Sequence, residues 1–200
     1  MKHNIFLFIV FLFLFTCASQ KKEQIKLLPF EKDNLWGYKN AHGEVVIEAK
    51  YYIAQYFSSS GIAAVADSAG WSLIDMKGNI KIRPYIFDNG PDYFKEGVAR
   101  FVEKNKFGFF NEKAKITIEP QFDFALPFQE GLAVVCVGCK EQAKGEHRWF
   151  SGGKWGYINH KGKFVIPLKF EEAKNFKNNK ARVMFKNKWA YINKKGVIVE

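Results

Sequence analysis

Cys136 and Cys139 stand three positions apart, and His147, Arg148 and Trp149 follow shortly after them. Two thiols at that spacing can close a small disulfide ring, enter a Cys-x-x-Cys metal site, or exchange with a substrate disulfide. A metal site built on Cys136, Cys139 and His147 would need a fourth ligand. Neither His42 nor His160 follows at a useful distance, so no metal and no other cofactor is assigned. Thiol exchange needs a lowered thiol pKa, commonly supplied by a helix N-terminus, whereas this pair ends a strand-like run. The favoured reading is a disulfide that staples the base of a loop over residues 136–153. His147, Arg148 and Trp149 are the candidate ligand-binding residues on that loop, and their rival role is to cover a sheet edge.

Catalysis has little to draw on. The chain carries no Gly-rich phosphate loop and no nucleophile elbow, and beyond the leader only His42, His147 and His160 remain. Asp123, Glu171 and Glu172 recur with, or lie beside, a repeated pattern, so their expected job is to cap backbone rather than to transfer protons. The chain is read as a non-enzyme, with no catalytic residue. A hydrolase that pairs two of these carboxylates is the weakest of the alternatives.

The first residues specify where this chemistry would take place. Lys2 and His3 precede an eleven-residue run, Ile5 to Phe15, made only of Ile, Leu, Val and Phe, and small residues follow. That is the layout of a signal peptide over residues 1–16, and the run is too short to span a bilayer comfortably. Leu14-Phe15-Thr16-Cys17 resembles a bacterial lipobox, which implies lipidation of Cys17 and a tether over residues 17–26. Cleavage after Ser19, with loss of Cys17, is the alternative. An exported chain does not normally keep a lone reactive thiol, so the remaining pair fits a disulfide. The formal charge of +11 then points to anionic surfaces of the cell envelope and not to nucleic acid, and a lysine-decorated surface that blunts strand edges accounts for most of it.

What must position the loop is a repeat. Trp36-Gly37-Tyr38, Phe107-Gly108-Phe109 and Trp155-Gly156-Tyr157 share one phrase, and Trp71-Ser72-Leu73 and Trp189-Ala190-Tyr191 are looser copies, so the phrase starts at 36, 71, 107, 155 and 189. The intervals are 35, 36, 48 and 34 residues. A fixed period of that size marks a solenoid, a propeller or an array. After each phrase comes a turn, Asn40-Ala-His-Gly43, Asp75-Met-Lys-Gly78, Asn111-Glu-Lys-Ala114, Asn159-His-Lys-Gly162 and Asn193-Lys-Lys-Gly196. Asx at the first position can bond nearby backbone, and Gly at the last accepts a left-handed conformation. Ala114 in that geometry would be strained by about 1 kcal/mol.

A returning strand should follow each turn and end at Pro84, Pro120 or Pro167, or else lie at an edge. An ordered loop with Phe128 or Phe176 leads to a third alternating strand. The fold class is therefore all-β, a tandem array of about five three-stranded antiparallel units of roughly 35 residues over 27–200, open or gently curved. The alternative is a closed five-bladed propeller in which end fragments complete one unit. The recurring tryptophans are expected in the core between units, and the glycine beside each should admit a close neighbour.

The phrase Lys154-Trp-Gly-Tyr-Ile-Asn159, with Gly162, Pro167, Phe170-Glu171 and Ala173 after it, resembles the WG repeat, a bacterial β-repeat family found in tandem. The resemblance implies a repeat fold and a binding or scaffolding role, and it implies no catalytic residue. Ser72, Ala190 and Phe107 depart from the family pattern. The expected function is that of an exported, lipid-anchored binding or scaffolding protein of the bacterial envelope, whose partner is a protein or an envelope glycan. The alternative is a structural envelope protein without a specific ligand.

Overall fold

The computed structural model describes residues 26–145 and 147–199. The expected signal peptide, Cys17 and the expected tether up to residue 25 lie outside the described residues. Every regular element among those described is a strand.

Each sheet of the array is an antiparallel meander that begins one or two strands before the strand that carries the phrase. The first holds β1 (Leu28–Lys32), β2 (Leu35–Lys39) and β3 (Val45–Tyr51). The second holds β4 (Ile53–Ala54), β5 (Ile62–Asp67), β6 (Gly70–Asp75) and β7 (Ile80–Ile82). A small separate hairpin follows, β8 (Ile86–Phe87) with β9 (Gly90–Pro91). The third meander is β10 (Val98–Glu103), β11 (Lys106–Asn111) and β12 (Ile116–Phe122). The fourth is β13 (Phe124–Ala125), β14 (Ala133–Lys144), β15 (His147–Ile158) and β16 (Phe164–Phe170). The last is β17 (Glu172–Ala173), β18 (Ala181–Phe185), β19 (Lys188–Ile192) and β20 (Ile198–Val199).

The five meanders among the described residues are thus offset from the units of the sequence phrase. The strand that closes one sequence unit pairs with the phrase strand of the next, which moves the boundary. The third-strand equivalent expected before Trp36 is β1. No strand of the first sheet pairs with one of the last among the described residues, and the array is open.

The phrase and the turn have local causes. Asn40, Asp75, Asn111, Asn159 and Asn193 each accept two backbone N–H bonds through Oδ1, from the residues two and four positions on, at 2.9–3.2 Å. Ala114 keeps the turn at φ 54°, so the expected strain is present. The glycine of the phrase lies under a crossing strand. Opposite Gly156, β16 bulges over residues 167–169, and a Cβ there would stand 2.7 Å from the Ile166 carbonyl oxygen. Gly37 and Gly108 are crossed in the same way by β3 and β12. Pro120 and Pro167 therefore do not end their strands. They sit within the bulge of an edge strand, where no ladder bond is lost.

Meanders stack through the third residue of the phrase. Tyr38, Phe109 and Tyr157 are fully buried and pack their rings on Phe57, Phe128 and Phe176 of the following meander at 4.7–5.0 Å. The two tyrosine hydroxyls donate across the same joint, to the carbonyls of Gln55 and Lys174, and burial pushes both phenols well above their ordinary pKa. Each hydrophobic cluster draws on two consecutive meanders, which is the one-dimensional logic of a repeat protein. The first aromatic of the phrase is less uniform than expected. Phe107 and Trp155 are buried and Trp36 and Trp71 half-buried, but Trp189 is 38% exposed, with the Arg182 guanidinium over its ring at 4.3 Å.

Candidate functional site

Residues 136–153 do not form a loop. They prolong β14 and β15 into a hairpin whose register runs from Cys136↔Trp155 out to Lys144↔His147. The reason lies at its base. In three other meanders this connection is a two-residue turn with both residues left-handed, Asp33-Asn34, Lys104-Asn105 and Lys186-Asn187, the geometry that matches strand twist in a tight hairpin. In the fourth meander the same two places are taken by Gly138 at φ 81° and Gly153 at φ 64°. The insertion opens between the two central residues of a turn, so both strands continue outward in register.

The backbone caps of that turn are kept. Glu171 accepts N–H bonds from Lys186 and Asn187 in the last meander, and Asp123 accepts one from Gly138 at 2.6 Å while pairing with Lys106. Burial alone would raise the Asp123 pKa. The bonds from Lys106 and Gly138, with the Lys106 charge, outweigh that and hold the carboxyl below its usual range. These carboxylates cap backbone, though of the turn in the next meander rather than of their own loop.

Above its base the hairpin bends back over the array. Phe150 stacks on Phe124 at 4.3 Å and meets Phe107 edge-on at 6.0 Å. Cys136 and Cys139 are bridged, with Cα atoms 6.1 Å apart, inside the range a disulfide spans. Among the described residues there is no group of three or more His, Cys, Asp or Glu side chains placed to hold a metal ion. Arg148 forms an ion pair with Glu141 across the hairpin at 3.2 Å, and Trp149 is half-exposed. The His147 backbone belongs to β15, and its side chain lies outside the described residues.

Arg148 and Trp149 line a cleft of about 560 Å³ together with Tyr85, Phe87, Trp155 and Glu172. Tyr85 and Phe87 come from the small β8–β9 hairpin and its approach, a second departure from the repeat. Its Asp88-Asn89 turn is left-handed at both residues, and the Asp-Asn-Gly run at 88–90 is a local signal for it that the spacing hides. Behind it lies a pair that sequence reasoning missed. The Arg100 guanidinium is bound bidentately by Asp92 at 2.8 Å, donates to the Ala125 carbonyl at 2.9 Å, and lies over the Tyr85 ring at 4.8 Å. Both partners are buried. The two interruptions of the repeat thus meet at one cleft, with aromatic walls and charges of both signs at the rim.

No helix among the described residues is long and apolar enough to cross a membrane. No curated protein matches the chain. A solved structure titled "Crystal structure of the eukaryotic initiation factor" is similar over 88% of this chain and 52% of that one, at 12% identity and a TM-score of 0.37. The chain therefore spans about half the length of that structure, and a likeness at this level supports no transfer of function. The family described as WG containing repeat matches residues 36–66, 71–107, 107–140 and 155–189. These matches and the meanders beneath them place the chain in the WG repeat family.

Proposed function

We propose that the protein is a binding module, exported and held to the envelope membrane through Cys17, that recognises a protein segment or an envelope glycan with the parts that do not repeat. One observation carries the reading. The prolonged hairpin and the β8–β9 hairpin, the two departures from the frame, line the same cleft and present Trp149 and Arg148 there. Aromatic walls supply contact area, and rim charges supply orientation. Asp123, Glu171 and Glu172, the acids expected to matter most to a hydrolase, are engaged with backbone or lysine partners, and this favours binding over catalysis.

The test is to excise residues 139–152 so that Gly138 joins Gly153, with Cys136→Val to remove the unpaired thiol. Gly-Gly suits the restored turn. Loss of the Phe150 contacts should cost about 2 kcal/mol, which leaves a folded protein. Crosslinking in the native host should then capture the partner of the unaltered chain but not of the excised one. Capture by both would overturn the reading. For the anchor, metabolic labelling with a fatty-acid analogue should mark the parent chain and leave Cys17→Ala unmarked.

A further inference from the structure

A second cleft, of about 610 Å³, lies between the second and third meanders, away from the prolonged hairpin. It exists because one copy of the phrase is defective. In the first, third and fourth meanders the phrase ends in Tyr38, Phe109 or Tyr157, whose ring fills the joint against the phenylalanine of the next loop. The second meander has Leu73 at that place. The matching phenylalanine, Phe94, is left 40% exposed and turns its edge to Phe110 instead. Two tyrosines one repeat apart, Tyr56 at 72% and Tyr93 at 61% exposure, border the gap, and Trp71 forms part of its wall. Large rings gathered at one opening are unusual on a protein that stands alone in water.

We infer that this cleft is a subsite for a neutral oligosaccharide. Three features select the class. The polar groups lining it include the Gln55 amide and the hydroxyls of Tyr56, Tyr93 and Ser59, each able both to donate and to accept, which is what vicinal sugar hydroxyls require. Ring faces beside them fit the apolar C–H face of a sugar ring. Among the described residues no Lys, Arg or His lines the cleft, although the chain carries +11 overall, so an anionic ligand would find no counter-charge. Of the two acids there, Asp92 is already bound to Arg100, and the Glu112 carboxylate offers nothing that would hold an anion.

A proline-rich peptide is the competing occupant, because such segments also dock in aromatic grooves. It offers mainly carbonyl acceptors and needs fixed donors. The indole N–H of Trp71 is engaged by the Asn89 carbonyl at 3.2 Å, which removes the most rigid donor at the site and favours the sugar.

The purified full-length chain would be titrated with maltohexaose, cellohexaose and chitohexaose by saturation-transfer NMR. At least one should bind with a Kd in the millimolar range or tighter. Tyr93→Ala and Tyr56→Ala should each weaken it about tenfold or more. Leu73→Tyr should abolish it while raising the unfolding midpoint, since a tyrosine there restores the ring that the other meanders carry. Should Leu73→Tyr fail to fold, the two alanine variants decide alone. Excision of residues 139–152 should leave oligosaccharide binding unchanged, which keeps this site separate from the hairpin reading. The inference is overturned if none of the three sugars binds, if the tyrosine variants bind as the parent does, or if decaproline binds at this cleft in their place.

Discussion

The prolonged hairpin of β14 and β15 and the small hairpin of β8 and β9 both stand outside the repeat, but they are attached by different physics. The first grows out of an existing turn. Its backbone bonds continue a ladder already present, and the frame beneath it keeps its Gly156, its bulge and its Asp123 cap. The second replaces part of the frame. In the second meander β7 stops at Ile82, no strand among the described residues crosses the phrase, and Ser72 stands where the first, third and fourth meanders have glycine, with its buried hydroxyl unpartnered. The small hairpin fills the length that the missing crossover would have used and is tied down by the Asp92–Arg100 pair. An addition that respects register leaves a repeat intact, whereas an exchange needs a new anchor.

The sharpest way to break this contrast is to cut that anchor. Arg100→Met leaves Asp92 buried without its partner and should cost about 3–5 kcal/mol, because removing one member of a buried ion pair strands the other. The double variant Arg100→Met with Asp92→Leu should recover most of the loss. Urea unfolding of both variants gives the comparison. If the single change costs under about 1 kcal/mol, the small hairpin is held by something else.

Second in size is the glycine of the phrase. Gly156→Ala pushes a methyl into the carbonyl of Ile166 and should cost about 3 kcal/mol, at the upper end of overpacking. Ser72→Gly, at the same place in the exchanged meander, should change stability by no more than about 1 kcal/mol. There the flexibility of glycine is offset by loss of an orphaned buried hydroxyl. Equal costs in thermal unfolding would mean that the missing crossover does not explain the serine.

The same contrast explains what could be read from the chain. The phrase, the Asx turns and the all-β array were legible because each rests on a local rule repeated several times. The prolonged hairpin was visible as a 48-residue interval, but its strands were not, since their pairing is inherited from β14 and β15 below and owes little to alternation in their own residues. The small hairpin was invisible by spacing, because its insertion is compensated by the shortened β7 and the interval stays at 36. The offset between sheet and phrase was hidden for another reason: a repeat has no marked beginning, and the asparagines of the tight turns, Asn34, Asn105 and Asn187, sit outside the phrase. Arg100 and Asp92 look like ordinary surface charges until the topology brings them together.

Between the two interrupted meanders Glu96 acts as a clamp. Its carboxylate accepts the Gly131 N–H at 3.1 Å and meets the His160 ring nitrogen at 2.9 Å. Burial alone would raise its pKa, but these bonds and the His160 charge prevail and hold it below the usual carboxylate range. A carboxyl whose pKa is lower in the folded chain stabilises it above the unfolded value, about 4.3, and the contribution disappears as pH falls through the folded value. Glu96→Gln should therefore cost up to about 1 kcal/mol near pH 7, a solvent-exposed pair being worth little more. The gap between parent and variant should close as pH drops below about 4 in urea titrations. A gap that stays constant with pH would mean that the clamp acts by shape and not by charge.

The smallest effect lies where the exchanged meander meets its neighbour. Gly78, Gly162 and Gly196 of the Asx turns lie against Ile47, Ile118 and Ile166 of the preceding return strand, and a Cβ at Gly162 would stand 3.3 Å from Ile118. The third meander has Ala114 there, clustered with Ile82, the residue at which β7 stops. A left-handed alanine is strained by about 1 kcal/mol, and its buried methyl recovers about 0.8 kcal/mol. Ala114→Gly should thus shift stability by less than about 0.5 kcal/mol. Gly162→Ala takes on the same strain without that space and should cost about 1–2 kcal/mol. The difference measures the room that the shortened β7 leaves, and it vanishes if the two joints are packed alike.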